Sequence, residues 1–223
     1  MTTASRELEV FLARRWGVVA GMDEVGRGAL AGPVAVGVAL IGVDAPPVPE
    51  GLTDSKALTA RRREALIEPV RSWVLASSVG YASAQEIDQW GIIAALRLAG
   101  RRALADVAEQ GLVPGGVLLD GSHNWLSAPD DLFGALDGPE DPFGRELPVR
   151  MQVKADASCA VVAAASVLAK VARDHLMQGL DDPGYGWASN KGYGSAAHAR
   201  AIGELGVSDY HRRSWKMPTQ ATK

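Results

Sequence analysis

The feature that most constrains the fold of this chain is a pair of apolar runs, residues 17–22 and 29–41, separated by a short glycine turn at residues 26–28. Extended apolar runs on either side of a glycine turn are typical of paired antiparallel strands inside a sheet. The sequence therefore predicts a β-hairpin or meander near the N-terminus.

Two carboxylates, Asp23 and Glu24, directly follow the first apolar run. At the end of a buried strand neither would be fully hydrated, and a poorly hydrated charge needs a partner. Arg27 is the only lysine or arginine within four residues, and a hard cation such as Mg²⁺ prefers oxygen ligands. The pattern indicates a metal next to phosphate, although an exposed acidic turn would also explain an isolated Asp-Glu pair.

The rest of the chain alternates predicted helices with predicted strands. Helices are predicted at residues 5–15 and 195–205, and two more are predicted to begin at an N-cap at Thr59 and at Asp156. A fifth helix is predicted to begin at a capping box formed by Ser83 and Glu86, to break near Gly91 and to end just before Gly111. Strands are predicted at residues 74–81, 116–120 and 146–154. Residues 127–145 and 184–194 read as loops, the second of them flexible. This order predicts an α/β fold, with a mixed central β-sheet flanked by helices and a small helical C-terminal segment.

Length and apolar content are sufficient for one substantial core. The 223 residues are 47% hydrophobic, so we expect a single domain over residues 1–223, with residues 175–223 as a C-terminal segment that contacts substrate. Residues 191–223 carry a net charge of +4, whereas the rest of the chain carries −7. This polarity fits phosphate contact at one face and metal-binding carboxylates at another, and a solvated helix end is an equally good explanation.

Several classes of protein are disfavoured. Residues 1–16 contain no uninterrupted apolar stretch and no run is long enough to span a bilayer, so we expect a cytoplasmic protein with no membrane partner. The single cysteine, Cys159, excludes an internal disulfide and a multi-cysteine zinc site. The glycine spacing at residues 26–32 does not match a dinucleotide fingerprint.

Carboxylates recur at the predicted ends of other elements. Asp120 closes a short apolar strand and Asp156 begins a helix, so they could join Asp23 and Glu24 at one site. Phosphodiester cleavage by two metals requires such a cage around ions ~3.5–4 Å apart. Alternatively, Asp120 could begin a turn and Asp156 could be an N-cap. A straight strand would also send Asp23 and Glu24 to opposite faces, so the prediction requires a twist at Gly26.

Six motifs occur in an order that resembles the ribonuclease HII family, the type 2 ribonucleases H. They are Asp23-Glu24-x-Gly-Arg-Gly, Asp54-Ser55-Lys56, Asp120-Gly121, Lys154-x-Asp156 leading into residues 163–174, Lys191-Gly192-Tyr193-Gly194 with His198, and His211-Arg212-Arg213-Ser214. The chain departs from the family pattern at Ala155, where glycine is usual, and in the greater length of residues 127–145.

The resemblance implies a ribonuclease H-like fold, with Asp23, Glu24, Asp120 and Asp156 as catalytic metal ligands and Mg²⁺ or Mn²⁺ as cofactor. The implied activity is hydrolysis of the RNA strand of RNA–DNA hybrids and incision on the 5′ side of single ribonucleotides embedded in duplex DNA. Such incision leaves 3′-OH and 5′-phosphate ends, as in ribonucleotide excision repair. The implied partners are RNA–DNA hybrid and ribonucleotide-containing duplex DNA, and we expect a monomer.

The resemblance also implies substrate contacts. The backbone of Gly26, Arg27 and Gly28 would grip the ribose 2′-OH, which distinguishes RNA from DNA, because a glycine turn lets backbone groups approach a sugar closely. Tyr193 would stack on the adjacent deoxyribose. The expected phosphate contacts, by position and charge, are Lys56, Lys170, Lys191, His198 and Arg212. Ser55 and Ser166 would hydrogen-bond the strand.

Three alternatives remain at the level of sequence. Ribonuclease HIII shares the motifs but carries an additional N-terminal domain, and only 22 residues precede Asp23 here. A catalytically silent RNA–DNA hybrid-binding protein would bind with strong salt dependence and without cleavage. A metal-dependent phosphatase or nuclease specific for DNA would cut all-DNA duplex.

Overall fold

The computed structural model describes residues 4–128 and 138–218, and its centre is a five-stranded sheet. The strands are β1 Val19–Val25, β2 Val34–Ile41, β3 Ala76–Ala82, β4 Gly116–Asp120 and β5 Val149–Gln152, in the spatial order β3-β2-β1-β4-β5. Strands β1, β2 and β3 pair antiparallel, whereas β4 runs parallel to both β1 and β5. The predicted hairpin and mixed sheet are both confirmed.

Seven α-helices flank the sheet within the described ranges. They are α1 Glu7–Trp16, α2 Ala60–Trp73, α3 Ala84–Glu109, α4 Ala155–Ser158, α5 Ala160–Gly179, α6 Trp187–Asn190 and α7 Ala196–Leu205, and a 3₁₀ turn spans Ser55–Ala57. Thr59 caps α2, and Ser83 and Glu86 form a reciprocal capping box on α3. The predicted break in α3 is confirmed at Gly91, which has a φ of 77°.

Helix α5 packs unusually closely on the sheet, because glycines face it. A Cβ atom built on Gly21 would lie 2.6 Å from the backbone of Val161, and one on Gly37 would lie 2.2 Å from the carbonyl oxygen of Ala165. This approach brings Ser166, at 0% exposure, up to the sheet beside β1. Helix α3 covers the opposite face of the sheet, where Met22 and Leu96 share one buried cluster.

The N-terminal segment is tied to the start of α5. The backbone N–H of Ser5 donates to the Ser158 carbonyl at 2.9 Å, and the N–H of Ala160 donates to the Ser5 carbonyl at 3.0 Å. Glu9 of α1 is fully buried, and its Oε1 accepts a 2.6 Å hydrogen bond from the N–H of Val161. Burial raises the pKa of Glu9 to about 7, against the opposing effects of that hydrogen bond and of Arg6.

Residues 184–194 differ from the flexible loop that the sequence predicts. They contain α6, and Tyr185 and Trp187 are buried with their rings stacked at 5.1 Å between centroids. The Asp182 carboxylate orders this segment by accepting hydrogen bonds from the N–H groups of Gly184, Tyr185 and Trp187. The predicted long loop lies partly outside the described residues, because residues 129–137 are not among them. None of the helices that the structure describes is long and apolar enough to cross a membrane.

Candidate active site

The carboxylates of the candidate site lie where β1 and β4 part. Strand β1 continues through Asp23 and Glu24 and stays paired with β2 up to Val25. The sequence predicted that these two carboxylates follow the strand, whereas they are part of it. The parallel ladder between β1 and β4 ends at Met22, and Asp120 closes β4 beside it. Parallel strands that end side by side place these acidic residues at one edge of the sheet.

Asp120 also connects β4 to the next acidic residue. Its Oδ1 accepts hydrogen bonds from the N–H of Ala155 at 2.7 Å and from the N–H of Asp156 at 3.4 Å. The left-handed φ of 58° in this segment falls on Lys154, whereas Ala155 lies in α4 with ordinary helical backbone. The position where the family usually has glycine therefore imposes no strain on alanine in this chain.

The four carboxylates act on one another electrostatically. Burial, with repulsion from Glu24 and Asp120, raises the pKa of Asp23 to about 7 against the opposing effect of a side-chain hydrogen bond with Ser166. The pKa values of Glu24 and Asp156 are also raised, first by burial and in each case also by Asp120. Asp23 and Glu24 both experience Asp120 although they are neighbours in one strand.

Two cations partly balance this negative charge. The Nζ of Lys56 lies 3.5 Å from Oδ2 of Asp156, and a guanidinium nitrogen of Arg27 lies 3.2 Å from Oε1 of Glu24. Within residues 4–128 and 138–218, no three histidine, cysteine, aspartate or glutamate side chains are grouped so that they could hold a metal ion in this arrangement. The donor chemistry nevertheless fits a hard divalent cation, because all four groups are carboxylates whose mutual repulsion such a cation would relieve.

The glycine turn at residues 26–28 lies next to these carboxylates and requires glycine at its first position. Gly26 has a φ of +83°, and a Cβ atom there would lie 2.1 Å from Nε of Arg173. The N–H of Gly26 donates to the hydroxyl of Tyr193 at 3.0 Å. Arg27 and Gly28 are exposed, and their backbone N–H groups make no hydrogen bond to the described part of the chain.

Arg212 has a different position from the phosphate contact that the sequence predicts. Its side chain is fully buried and donates to the carbonyls of Gly26 at 2.6 Å, Arg27 at 2.7 Å and Gly32 at 3.1 Å. Burial, together with repulsion from Arg173, lowers the pKa of Arg212 to about 9. Arg212 therefore supports the turn from inside the protein and presents no surface to a phosphate.

Arg173, which the sequence analysis did not single out as a site residue, supports the neighbouring backbone in the same way. It is fully buried and donates to the carbonyls of Ala31, Pro33 and Lys191 at 2.8–3.2 Å. Its guanidinium carbon lies 5.4 Å from the centre of the Tyr193 ring. An arginine inside an apolar helix pattern was the available signal, because a charge at such a position needs buried partners.

His198 is likewise buried and does not reach the surface as a phosphate contact would. Its Nδ1 lies 3.0 Å from the Tyr193 carbonyl, and its Nε2 lies 3.1 Å from Nε2 of His211. Because a carbonyl only accepts, Nδ1 of His198 donates to it, and Nε2 of His198 faces Nε2 of His211. The Nδ1 of His211 accepts in turn from the N–H of Ser208 at 2.9 Å. Burial lowers the pKa of His211 to about 4, and repulsion from His198 contributes.

The remaining predicted contacts differ in their exposure and in their partners. Lys56 is exposed, whereas Ser55 and Ser166 are buried and share a 2.9 Å hydrogen bond between their hydroxyls. Lys170 pairs with Asp174 at 2.6 Å and lies 5.9 Å from the Tyr193 ring centre. The Nζ of Lys191 donates to the carbonyl of Ala188.

Arg63, which the sequence did not indicate, lines a cavity together with Lys170 and Lys191. It donates to the carbonyls of Ser55 at 2.8 Å and Leu58 at 2.7 Å, and so holds the turn that carries Lys56. Within a run of three arginines, nothing in the sequence separates this residue from its exposed neighbours.

Residues 20–218 match the family model described as ribonuclease HII. The chain belongs to the ribonuclease HII family. It is 46% identical to the ribonuclease HII of Streptomyces avermitilis over 200 residues, which cover 89% of this chain and 76% of that protein. It is also 46% identical to the ribonuclease HII of Paracoccus denitrificans over 202 residues, which cover 88% of this chain and 84% of that protein.

Solved structures of ribonucleases HII share the architecture. The enzyme in the PCNA:RNase HII complex from Archaeoglobus fulgidus aligns with a TM-score of 0.62 and 26% identity, over 92% of this chain and 98% of that one. The ribonuclease H2 of Pyrococcus horikoshii OT3 aligns with a TM-score of 0.57 and 25% identity, over 90% and 95% of the two chains. This ribonuclease HII family member is thus a metal-dependent endoribonuclease that degrades the RNA of RNA–DNA hybrids.

Proposed function

We propose that this ribonuclease HII also incises duplex DNA on the 5′ side of a single embedded ribonucleotide and leaves 3′-OH and 5′-phosphate ends. The observation that carries the proposal is the position of an ordered glycine turn, with two backbone donors that have no hydrogen-bond partner in the described part of the chain, directly after Asp23 and Glu24, whose pKa values both respond to Asp120. A site that reads one ribose and cuts next to it needs these two parts in contact.

The four carboxylates Asp23, Glu24, Asp120 and Asp156 are the proposed metal ligands, with Mg²⁺ or Mn²⁺ as the ion. When bound, a pair of such ions would activate the attacking water and stabilise the leaving oxygen. The raised pKa values of Asp23, Glu24 and Asp156 support this role, because buried like charges are stabilised by an added cation. The hydrogen bonds from Ala155 and Asp156 to Asp120 hold that carboxylate in place.

The turn at residues 26–28 is the proposed ribose reader. Its carbonyls face Arg212 inside the protein, so the N–H groups of Arg27 and Gly28 remain available to a 2′-OH. Tyr193 is positioned for stacking on the adjacent sugar, because its hydroxyl is held by Gly26 and its carbonyl by His198.

The basic side chains beside the carboxylates are the proposed phosphate contacts. Lys56, Lys170 and Lys191 remain candidates for direct contact, whereas the buried His198 and Arg212 act through the backbone that they hold. Ser55 and Ser166 are proposed to orient the strand through their paired hydroxyls. We also propose that the protein acts as a monomer, with residues 175–218 contributing the described part of the substrate-contacting segment.

The test is cleavage of three duplexes: DNA with one ribonucleotide, all-DNA, and a uniform RNA–DNA hybrid, each with Mg²⁺, Mn²⁺ or EDTA. We expect metal-dependent incision 5′ of the single ribonucleotide, a cut hybrid and intact all-DNA. Cleavage of all-DNA would indicate a DNA nuclease, and tight binding without incision under either metal would indicate a silent hybrid-binding protein.

The matched variant is Asp120→Asn. Asparagine keeps an oxygen that can accept from the N–H groups of Ala155 and Asp156, so folding and substrate binding should persist while cleavage falls by about 10³-fold or more. Asp44→Asn makes the same change on an exposed residue near the opposite end of the sheet and should leave the rate unchanged. Full activity in Asp120→Asn would contradict the four-carboxylate assignment.

A further inference from the structure

The backbone of residues 26–32 is held by two buried arginines that form no ion pair with a carboxylate among the described residues. Arg173 and Arg212 form none of the ion pairs found within the described ranges, and together they donate to the carbonyls of six residues. These are Gly26, Arg27, Ala31, Gly32, Pro33 and Lys191. Burying a guanidinium is unfavourable unless its N–H donors are hydrogen-bonded. A carboxylate usually accepts these hydrogen bonds, whereas here backbone carbonyls accept them.

Both side chains lie against the proposed ribose-reading turn, but of the two only Arg212 hydrogen-bonds to the backbone of residues 26–28. Its planar fork spans the carbonyls of Gly26, Arg27 and Gly32, and its guanidinium lies 4.8 Å from the ring centre of Trp215. Each bond is charge-assisted and therefore stronger than a bond between neutral groups. Because these carbonyls are drawn inward, the peptide groups are oriented with the Arg27 and Gly28 donors away from the protein interior.

We propose that Arg212 is a positioning residue for ribonucleotide recognition: it sets the orientation of the peptide groups at residues 26–28 and so determines how strongly the enzyme prefers a ribose to a deoxyribose. This inference rests on the proposed function of the turn and extends it to a residue that cannot touch the substrate. The planar geometry of the side chain is essential to the role, since lysine offers no fork that spans three carbonyls.

The neighbouring Arg213 provides a matched control. Its side chain is exposed and pairs with Asp209 at 2.7 Å, while its backbone N–H donates to Asp88. Arg212→Lys and Arg213→Lys thus change the same residue type at adjacent positions, and Arg212→Met and Arg213→Met remove the same charge from the same segment. A general electrostatic contribution to nucleic-acid binding would be affected equally at both positions.

Two readouts test the proposal. The first is kcat/KM with Mg²⁺ on duplex DNA with one ribonucleotide, together with the ratio of affinities for this duplex and all-DNA, measured by fluorescence anisotropy in EDTA. We expect Arg212→Lys to lower kcat/KM about 100-fold, as a misplacement near 1 Å does, and to bring the affinity ratio towards one. The Arg213 variants should keep both values.

The second readout is amide hydrogen exchange of residues 26–32, which requires no activity. The N–H groups of Gly26, Ala29 and Gly32 are hydrogen-bonded in the native turn, so Arg212→Lys should accelerate their exchange at least 10-fold while helix α3 stays protected. Faster exchange without a change in the affinity ratio would give Arg212 a purely structural role and overturn the proposal. Unchanged exchange together with an unchanged affinity ratio would overturn it as well. If the unmodified enzyme shows no preference for the ribonucleotide, the proposed function of the turn fails, and the exchange data still decide whether Arg212 holds the turn. If Arg212→Met does not fold, Arg212→Lys carries the test.

Discussion

The buried Glu9 makes the stability of the protein depend on pH in a way that one substitution should remove. Its Oε1 accepts from the N–H of Val161, but its Oε2 has no hydrogen-bond partner in the described chain. Burial raises the pKa from 4.5 to about 7. The folded state therefore holds the proton more tightly than the unfolded state does, and the stability contribution is complete below pH 4.5 and is lost as the pH rises to about 7.

The expected magnitude follows from this shift. At 1.36 kcal/mol for each pKa unit, ionisation of Glu9 lowers the free energy of unfolding by about 3 kcal/mol, and most of this loss falls between pH 5 and pH 8. Glu9→Gln keeps an oxygen for the N–H of Val161 and cannot ionise. The variant should therefore gain stability over the unmodified protein as the pH rises, and the gain should level off above pH 7.

The assay is urea denaturation of both proteins at half-unit steps from pH 4.5 to 8.5. Glu7→Gln, on the exposed side of the same helix, is the control and should follow the unmodified protein at every pH. A stability difference between Glu9→Gln and the unmodified protein that stays constant from pH 5 to pH 8 would refute the reasoning.

Two further predictions concern the turn and a helix cap. Gly26→Ala places a Cβ atom against Nε of Arg173 at a position whose φ is +83°, so cleavage at a single ribonucleotide should fall about 100-fold. The control is Gly17→Ala, because Gly17 also has a positive φ but a Cβ atom there meets no atom within 4 Å. This variant should retain the activity. Ser83→Ala removes the cap of α3 and should lower the free energy of unfolding by about 1 kcal/mol in urea denaturation, with kcat unchanged. Unaltered cleavage in the first variant, or unaltered stability in the second, would contradict the packing described for these positions.

Much of the fold was predictable because its signals are local. The hairpin, the capping box of Ser83 and Glu86, the break at Gly91 and the apolar strand that ends at Asp120 each depend on residues close together in the chain. The buried part of the C-terminal segment was not predictable in this way. Trp187 and Tyr185 lie in a glycine-rich stretch, and only their packing around the loop organised by Asp182 turns that stretch into a small core.

The residues proposed for the site were also identifiable in the sequence, but the positions of several were not. Lys56 and Arg212 both read as phosphate contacts from their charge, yet one is exposed and the other is fully buried. The spacing of residues in the sequence does not show which side-chain donors bond to backbone carbonyls far away in the chain. The hydrogen bond from Arg212 to the carbonyl of Gly26, for example, joins residues that are 186 positions apart.

By itself, the sequence determined the mixed α/β architecture and the family, and it suggested the four acidic residues that are proposed as metal ligands, because these follow from local hydrophobic period, turn chemistry and the order of motifs. Only the tertiary structure decided that Asp120 influences all three other carboxylates, that Glu9 caps α5, and that Arg173 and Arg212 hold the turn from within. The physical reason is that burial and pairing depend on residues brought together from opposite ends of the chain. A buried charge is stable only where the fold supplies its partners.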